Sequence, residues 1–486
     1  MKTLDTLNFD NRFARLPEKL FSRVTPKGFS RPHLVAFNPD VAALLDLDPT
    51  EATKPAFCTY FGGRKLLPGS EPLAMKYTGH QFGIYNPDLG DGRGMLLGQI
   101  RNETGEYWDL HLKGAGQTPY SRFGDGRAVL RSSIREYLGS EAMHHLGIPT
   151  TRALCIIGSD EPVQREKTER GAMLLRVADT HVRFGHFEWL HHSGQSALLT
   201  ALADHVIDSH YPECRDAPQP HAALFDAVVS RTARLMAQWQ LAGFAHGVMN
   251  TDNFSITGAT FDYGPFGFLD AYEPGYICNH SDHSGRYAWH RQPSVGLWNL
   301  NALAHAFSTL VDHDALVASL KSYERTLLQH YDRGLKAKLG LQADQPEDRQ
   351  LGIDFLDLLM KNGADYTRSF RALGGVRTSE EHCTLRDDFV DREAFDHWHQ
   401  RYRERLQAEN SIDTERSVRM NACNPKYVLR NYLAQIAIEK AEAGDYSEID
   451  NLHAVLRRPF EEQPGNNDYA ALPPDWGRHM EISCSS

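Results

Sequence analysis

The chain has 486 residues, 41% hydrophobic and 24% charged, the make-up of a soluble globular protein with ample material for a core. Its 63 acidic and 52 basic side chains leave a formal net charge of −11, which argues against a nucleic-acid or anionic-membrane partner, since either calls for a basic face. Seven cysteines (Cys58, Cys155, Cys214, Cys278, Cys383, Cys423, Cys484) without a C-x-x-C pair indicate neither a disulfide framework nor a thiolate metal site. The opening residues lack a signal-type apolar run and no uninterrupted apolar stretch approaches membrane length, so a cytoplasmic protein is expected.

Residues 1–70 are rich in Pro, Phe and Asn/Asp, with one short helical segment at Asp40 to Leu47, and read as an extension wrapped on the main body. From Pro72 the chain turns glycine-rich. Gly90, Asp91, Gly92, Arg93 and Gly94 precede an apolar run and read as a turn into a strand. Glycines there let backbone N–H groups approach phosphate closely, although Asp-Gly also makes ordinary hairpins. In the strand Tyr107 to Leu112, alternation puts Trp108, Leu110 and Leu112 on one face and directs Lys113 to the other.

A helix is expected from Val129 to His145, with Ile134, Leu138, Ala142 and Leu146 as its apolar row and Gly147 and Pro149 as its stop. Glu136 falls off that row, within reach of Lys113. A strand lysine paired with a glutamate on the following helix is how kinases hold nucleotide phosphates; the bland alternative is a surface lysine and an exposed glutamate. Strands at Thr151 to Gly158 and Ala172 to Val177, joined by a charged turn, complete a small antiparallel sheet. Arg176 and Arg183 follow, either as a clamp for polyphosphate or as members of structural ion pairs.

Beyond Phe187 the chain is mainly helical, with Leu198, Leu199, Leu202 and Val206 as one core stripe and Leu224, Val228, Leu235 and Trp239 as another. Then comes the stretch from His246 to Gly267. It sets Asp252 beside Asn253, passes through Phe254 and Ile256 in what reads as a short hairpin, and reaches Asp262-Tyr263-Gly264. Two oxygen-bearing groups and a returned carboxylate suit Mg²⁺, which takes few protein oxygens and keeps water and phosphate on its other positions. Against the kinase pattern, His246, Asn253 and Asp262 fall on the catalytic-loop His, the metal-binding Asn and the Asp of Asp-Phe-Gly. The catalytic Asp position is Val248, which can neither accept a proton nor orient a hydroxyl. Either the chain is a dead kinase, or Asp252 has taken over and the reaction differs. Downstream, Arg286 to Trp289 is expected to anchor an activation-like segment. His280 and His283 read as a polar pair rather than zinc ligands, and helices are expected at about 298–340, 352–372, 390–408 and 425–442.

The run KGAGQTPYSRFGDGRAVLRSSIREYLGSEAMHHLGIPTTRAL (113–154), with HGVMNTDN, FDYGPFGF and GYICNHSDHSGRYA, resembles selenoprotein O, the protein adenylyltransferase family also called YdiU, over nearly the whole chain. The resemblance implies an α+β, protein-kinase-like bilobal fold. A small antiparallel β lobe with one key helix (71–186) would face a larger helical lobe (187–450), with an N-terminal extension (1–70) and a C-terminal tail (451–486). It implies ATP bound flipped relative to kinases, so that AMP passes to Ser, Thr or Tyr hydroxyls of proteins, self-modification included. The matching nucleotide positions are Gly90, Gly92, Arg93, Lys113, Glu136, Asp125, Gly126, Arg176, Arg183 and Asp262. Asp252 matches the proton acceptor, and Asn253 and Asp262 match the ligands of Mg²⁺ or Mn²⁺. Some members carry selenocysteine near the end where this chain has Cys484, and a reversible, regulatory disulfide between Cys484 and Cys278 is hypothesised. A phosphoryl-transferring kinase and a catalytically silent nucleotide-binding scaffold stay open, as does UTP in place of ATP.

Overall fold

In a computed structural model of the chain, residues 1–478, 480 and 482 are described. The architecture is mixed: an antiparallel sheet, with helices that dominate the second half. Strands β1 (Phe21–Arg23) and β2 (His33–Phe37) come from the N-terminal segment, followed by helices α1 (Pro39–Leu44) and α2 (Pro55–Phe61) and strand β3 (Leu73–Met75). A two-stranded hairpin, β4 (Gly79–Gln81) and β5 (Ile84–Asn86), stands apart from the main sheet. Strands β6 (Gly94–Arg101), β7 (Tyr107–Lys113) and the short β8 (Ala128–Val129) lead into helix α3 (Leu130–His145). The long hairpin β9 (Arg152–Gln164) and β10 (Thr168–Ala178) completes the sheet, in the order β1-β3-β6-β7-β10-β9-β2 with β8 beside β10.

One expectation gains detail here and one is corrected. The first 70 residues do not merely wrap the body: β1 and β2 supply the two outer strands of the main sheet. Apolar residues such as Phe21, Val35 and Ala36 are buried there, and backbone pairing at both edges covers strands that would otherwise be open. The charged turn expected between residues 158 and 172 is largely strand. Pairing continues through Val163↔Glu169 and Gln164↔Thr168; Val163 and Glu169 are buried there, and Glu169 is ion-paired with Arg131 at 3.0 Å.

Helix α3 packs against β9 and β10 and buries Ile134, Leu138 and Ala142 as its periodicity requires. On the opposite face of the sheet, Leu110, Leu112, Leu154 and Leu175 form a separate core with α1 and α2. The helical part contains α4 (Phe184–His192), α5 (Ser196–His210) and α6 (Pro220–Ala242), then short strands β11 (Phe244–Ala245) and β12 (Gly267–Phe268). It continues with α7 (Gln292–Phe307), α8 (His313–Lys338), α9 (Asp348–Asn362), α10 (Tyr366–Leu373), α11 (Arg392–Ala408), α12 (Asp413–Asn421), α13 (Asn431–Glu442) and α14 (Ser447–Leu456). Gly243 ends α6 in the left-handed conformation, φ 66°, and turns the chain into β11, directly ahead of the His246–Gly267 stretch. Among the described residues, no helix is long and apolar enough to cross a membrane.

Candidate active site

The pleat of β7 places Asp109, His111 and Lys113 on the face opposite Leu110 and Leu112, and all three are buried. Lys113 Nζ meets Glu136 Oε2 of α3 at 2.6 Å. Register places Arg176 of β10 opposite His111, and its guanidinium takes the same glutamate through Nε at 2.5 Å and Nη2 at 3.1 Å. Arg176 Nη1 continues to Asp262 Oδ1 at 2.7 Å. Arg183, at the head of α4, closes the chain of charges, with Nη1 2.5 Å from Asp262 Oδ2 and 2.9 Å from the Asp252 carbonyl. Five of the residues expected in a nucleotide site are thus one connected network.

The network sets the charge of its members. Burial works against the Asp262 carboxylate, but Arg176 and Arg183 outweigh it and hold the group well below the usual range. Burial pushes Lys113 down to about 8 despite Glu136, and it also lowers Arg93, which stands near Arg176. Asp252 is the exception. Burial pushes it up to about 7, partly offset by Arg183 and reinforced by the charge of Asp262. It is 7% exposed; Oδ2 accepts from Gln81 Nε2 at 3.3 Å, while Oδ1 is buried without a hydrogen-bond partner.

The loop carrying Asp252 is held from beneath. His246 Nε2 donates to the Phe261 carbonyl at 3.0 Å, and its ring stacks on Trp239. His246 is therefore a brace that joins the Asp252 loop to Asp262 rather than a reacting group. Asp262 itself adopts φ 58°, a conformation uncommon outside glycine that is found where structure over-determines a functional position. The hairpin expected between Asn253 and Asp262 does not form. Ser255 bridges to Arg183 and Thr260 to Thr150, so the segment pairs with the chain leading into α4 and β9 rather than with itself. Asn253 Nδ2 donates to the Val248 carbonyl at 3.0 Å, which turns its Oδ1 away. That oxygen and the Asp262 carboxylate are the two that a divalent cation could take.

Lys113, Arg176, Arg183, Asp252, Asn253 and Asp262 line a cleft of about 790 Å³ together with Gly90, Gly92, Arg93, Asp125 and Gly126. Glycine is required where the loops meet, against backbone at Gly126 and against an aromatic ring at Gly90. A Cβ on Gly126, φ 70°, would lie 2.1 Å from the Gly116 carbonyl carbon, and one on Gly90, φ 144°, would lie 2.6 Å from the Tyr120 ring. Asp125 is ion-paired with Arg165 at 2.8 Å and accepts from Arg127 N, which fixes the loop across the cleft mouth.

Against this geometry, the profile of the family described as Protein adenylyltransferase SelO matches residues 3–457. The chain belongs to that family. It is similar to the protein nucleotidyltransferase YdiU of Pseudomonas fluorescens strain Pf-5, with 55% identity over 488 residues and all of both chains covered. The same protein of Myxococcus xanthus is 55% identical over 488 residues and that of Pseudomonas putida GB-1 is 54% identical over 486, again with full coverage.

Three residues of this SelO-family site escape a reading of the sequence. Asp91, inside the glycine loop, faces inward: Oδ2 accepts from Met75 N at 3.0 Å and lies 3.3 Å from His111 Nε2. Burial opposes its charge, but His111 and Arg183 bring it down to about 2. Gln81 and Arg165 reach the site from elements whose register no local pattern reveals. Cys484 lies outside the described residues. Cys278 is buried, with Sγ 3.5 Å from the Ala245 carbonyl, and Ile482 O accepts from His280 N at 3.0 Å, so Ile482 touches the segment that carries Cys278.

Proposed function

We propose that this SelO-family adenylyltransferase binds ATP flipped relative to kinases and moves its AMP moiety to Ser, Thr or Tyr hydroxyls of proteins, with Asp252 accepting the hydroxyl proton. The hydroxyl oxygen forms a bond to the α-phosphorus as the bond from that phosphorus to the bridging oxygen breaks, and pyrophosphate leaves with the electron pair. The observation that carries this reading is Asp252, buried with its Oδ1 unpartnered, in the lining of a cleft that also holds Arg93, Lys113, Arg176 and Arg183, while Val248 stands where a kinase base would. A carboxylate with its proton affinity raised to about 7 suits proton acceptance near neutral pH.

In this reading Lys113, Arg176 and Arg183 take the phosphates, since guanidinium forks match phosphate oxygens. Glu136 holds Lys113 and Arg176 in place. Gly90, Gly92, Arg93, Asp125 and Gly126 enclose the nucleotide. Asn253 Oδ1 and Asp262 would hold Mg²⁺ or Mn²⁺, and the donor set fits: few, hard oxygens, with the remaining positions left to phosphate and water. A bound cation would neutralise charge developing on the phosphates. Arg176 and Arg183 already lie against Asp262, so they are in place to pass from the carboxylate to phosphate when nucleotide and metal arrive. The bilobal reading places the cleft between residues 71–186 and 187–450, as in protein kinases, with 1–70 and 451–486 as extensions.

Asp252→Ala tests the assignment: Mg–ATP binding is retained and AMP transfer stops. Loss of ATP binding in that variant contradicts the role given to Asp252.

A further inference from the structure

The hairpin β4–β5 belongs to neither the main sheet nor the helical core, yet it is fastened to the Asp252 loop at several points. His80 N donates to Thr251 Oγ1 at 2.7 Å, and Phe82 N donates to Tyr287 Oη at 2.9 Å and Asn250 Oδ1 at 3.3 Å. Tyr287 Oη donates to the same Asn250 oxygen at 2.7 Å, and His80 Nδ1 is paired with the buried Glu188. Gly79 packs so closely that a Cβ there would lie 3.0 Å from the Asp252 side chain. The hairpin and the Asp252 loop therefore keep a fixed register.

Both ends of the Gln81 amide are engaged. A carboxylate accepts, so the NH₂ faces Asp252 Oδ2 at 3.3 Å; the amide oxygen accepts from Asn86 Nδ2 at 3.1 Å. Beyond Gln81 the hairpin turns outward and becomes apolar: Phe82 is 40% exposed at φ 50°, and Ile84 is 74% exposed. The hairpin tip also packs on the neighbouring segment. Phe82 lies 5.1 Å from the Tyr287 ring, and a Cβ on Gly83 would lie 3.1 Å from the Arg286 guanidinium, which covers exposed Trp298 at 4.8 Å. Exposed apolar side chains on a rigid element beside a reacting group mark a contact surface.

We propose that the β4–β5 hairpin is the acceptor side of the active centre: Gln81 positions Asp252, and Phe82 and Ile84 seat the polypeptide that presents the hydroxyl. The occupant follows from continuity. In this family the nucleotide goes to a protein, and an accepting hydroxyl must come within hydrogen-bond reach of Asp252. The polypeptide carrying it must then lie over the surface that adjoins Asp252, and Gln81 of the hairpin lines the same cleft. The inference rests on the adenylyltransferase reading above.

The test is steady-state transfer of label from α-labelled ATP to casein and to the chain itself, with Mg²⁺ and reductant. Gln81→Leu lowers kcat by about tenfold or more, with KM for casein and the Mg–ATP dissociation constant within about twofold of wild type. Asn86→Ala, which releases the Gln81 amide without touching Asp252, gives a smaller loss in the same direction and serves if Gln81→Leu does not fold. Phe82→Ser with Ile84→Glu raises KM for casein by about fivefold or more and leaves Mg–ATP binding unchanged. Wild-type kcat in both Gln81→Leu and Asn86→Ala, or an unchanged casein KM in the double variant, overturns the proposal. Wild-type protein that binds Mg–ATP and labels neither casein nor itself counts against the parent reading, and this one falls with it.

Discussion

Arg176 Nη1 lies 2.7 Å from Asp262 Oδ1, and the same guanidinium holds both oxygens of Glu136. One buried cation on β10 thus ties the helix that anchors Lys113 to the carboxylate that closes the site, which is why Arg176 stays charged under all accessible conditions. Removing it leaves carboxylates without their main partner in a buried setting. Arg176→Met is expected to lower unfolding stability by about 3–5 kcal/mol, read from urea or thermal melts. A melt unchanged from wild type would mean that the pairing carries little weight in solution.

Asp252 destabilises the fold that it serves. Its folded value is about 7, above the usual carboxylate value. Below both values the folded and unfolded chains are equally protonated and nothing is lost. As pH rises between them, the unfolded chain releases a proton that the folded chain keeps, so stability falls, and the deficit is complete above about 7. Asp252→Asn removes it: transfer is abolished, while the variant is more stable than wild type by about 2–4 kcal/mol at pH 8 and no more stable at pH 4. Melting temperatures across that range provide the check.

AMP transfer should itself rise with pH. In the proposed role the acceptor works as the carboxylate, so transfer rises with pH; Asp252 is raised to about 7 in the unliganded chain, and a cation held by Asn253 and Asp262 would favour the charged form and move the rise lower. A transfer rate that falls as pH rises from 5 to 7 would contradict proton acceptance by Asp252.

The glycines of the cleft make a separate prediction. Gly126→Ala forces a Cβ into the Gly116 backbone at a left-handed φ, so the two loops must separate. KM for ATP is expected to rise by about tenfold or more, with a modest stability loss of about 1–2 kcal/mol. Gly147→Ala, also at positive φ but with open space around its Cβ, should cost stability alone.

How much of this was legible in the sequence depended on distance along the chain. The Lys113–Glu136 pair could be read because a strand end and the next helix lie close in sequence, and the helix period puts Glu136 off the apolar row. The limits of α3 and β7 followed from the same local periodicities. The sharing of Asp262 between Arg176 and Arg183 could not be read, since it is set by the register of β10 against β7 and by the crossing of a distant loop. The misread hairpin at Phe254 and Ile256 has the same cause: the alternation was real, but its partners, Arg183 and Thr150, come from elsewhere. In the N-terminal segment, three- and five-residue strands at sheet edges carry too few alternations to stand out, and the helices Asp413–Asn421 and Ser447–Leu456 went unread beyond the longer apolar stripes. Gln81 reaches Asp252 across 171 residues, and nothing local announces it.

The most direct measurement uses ATP labelled in separate reactions at the α- and γ-phosphorus, with divalent cation, reductant and a protein acceptor. Label arriving from the α position alone, and lost in Asp252→Ala, is the expected result. Label arriving from the γ position alone would make the chain a kinase and contradict the role of Asp252.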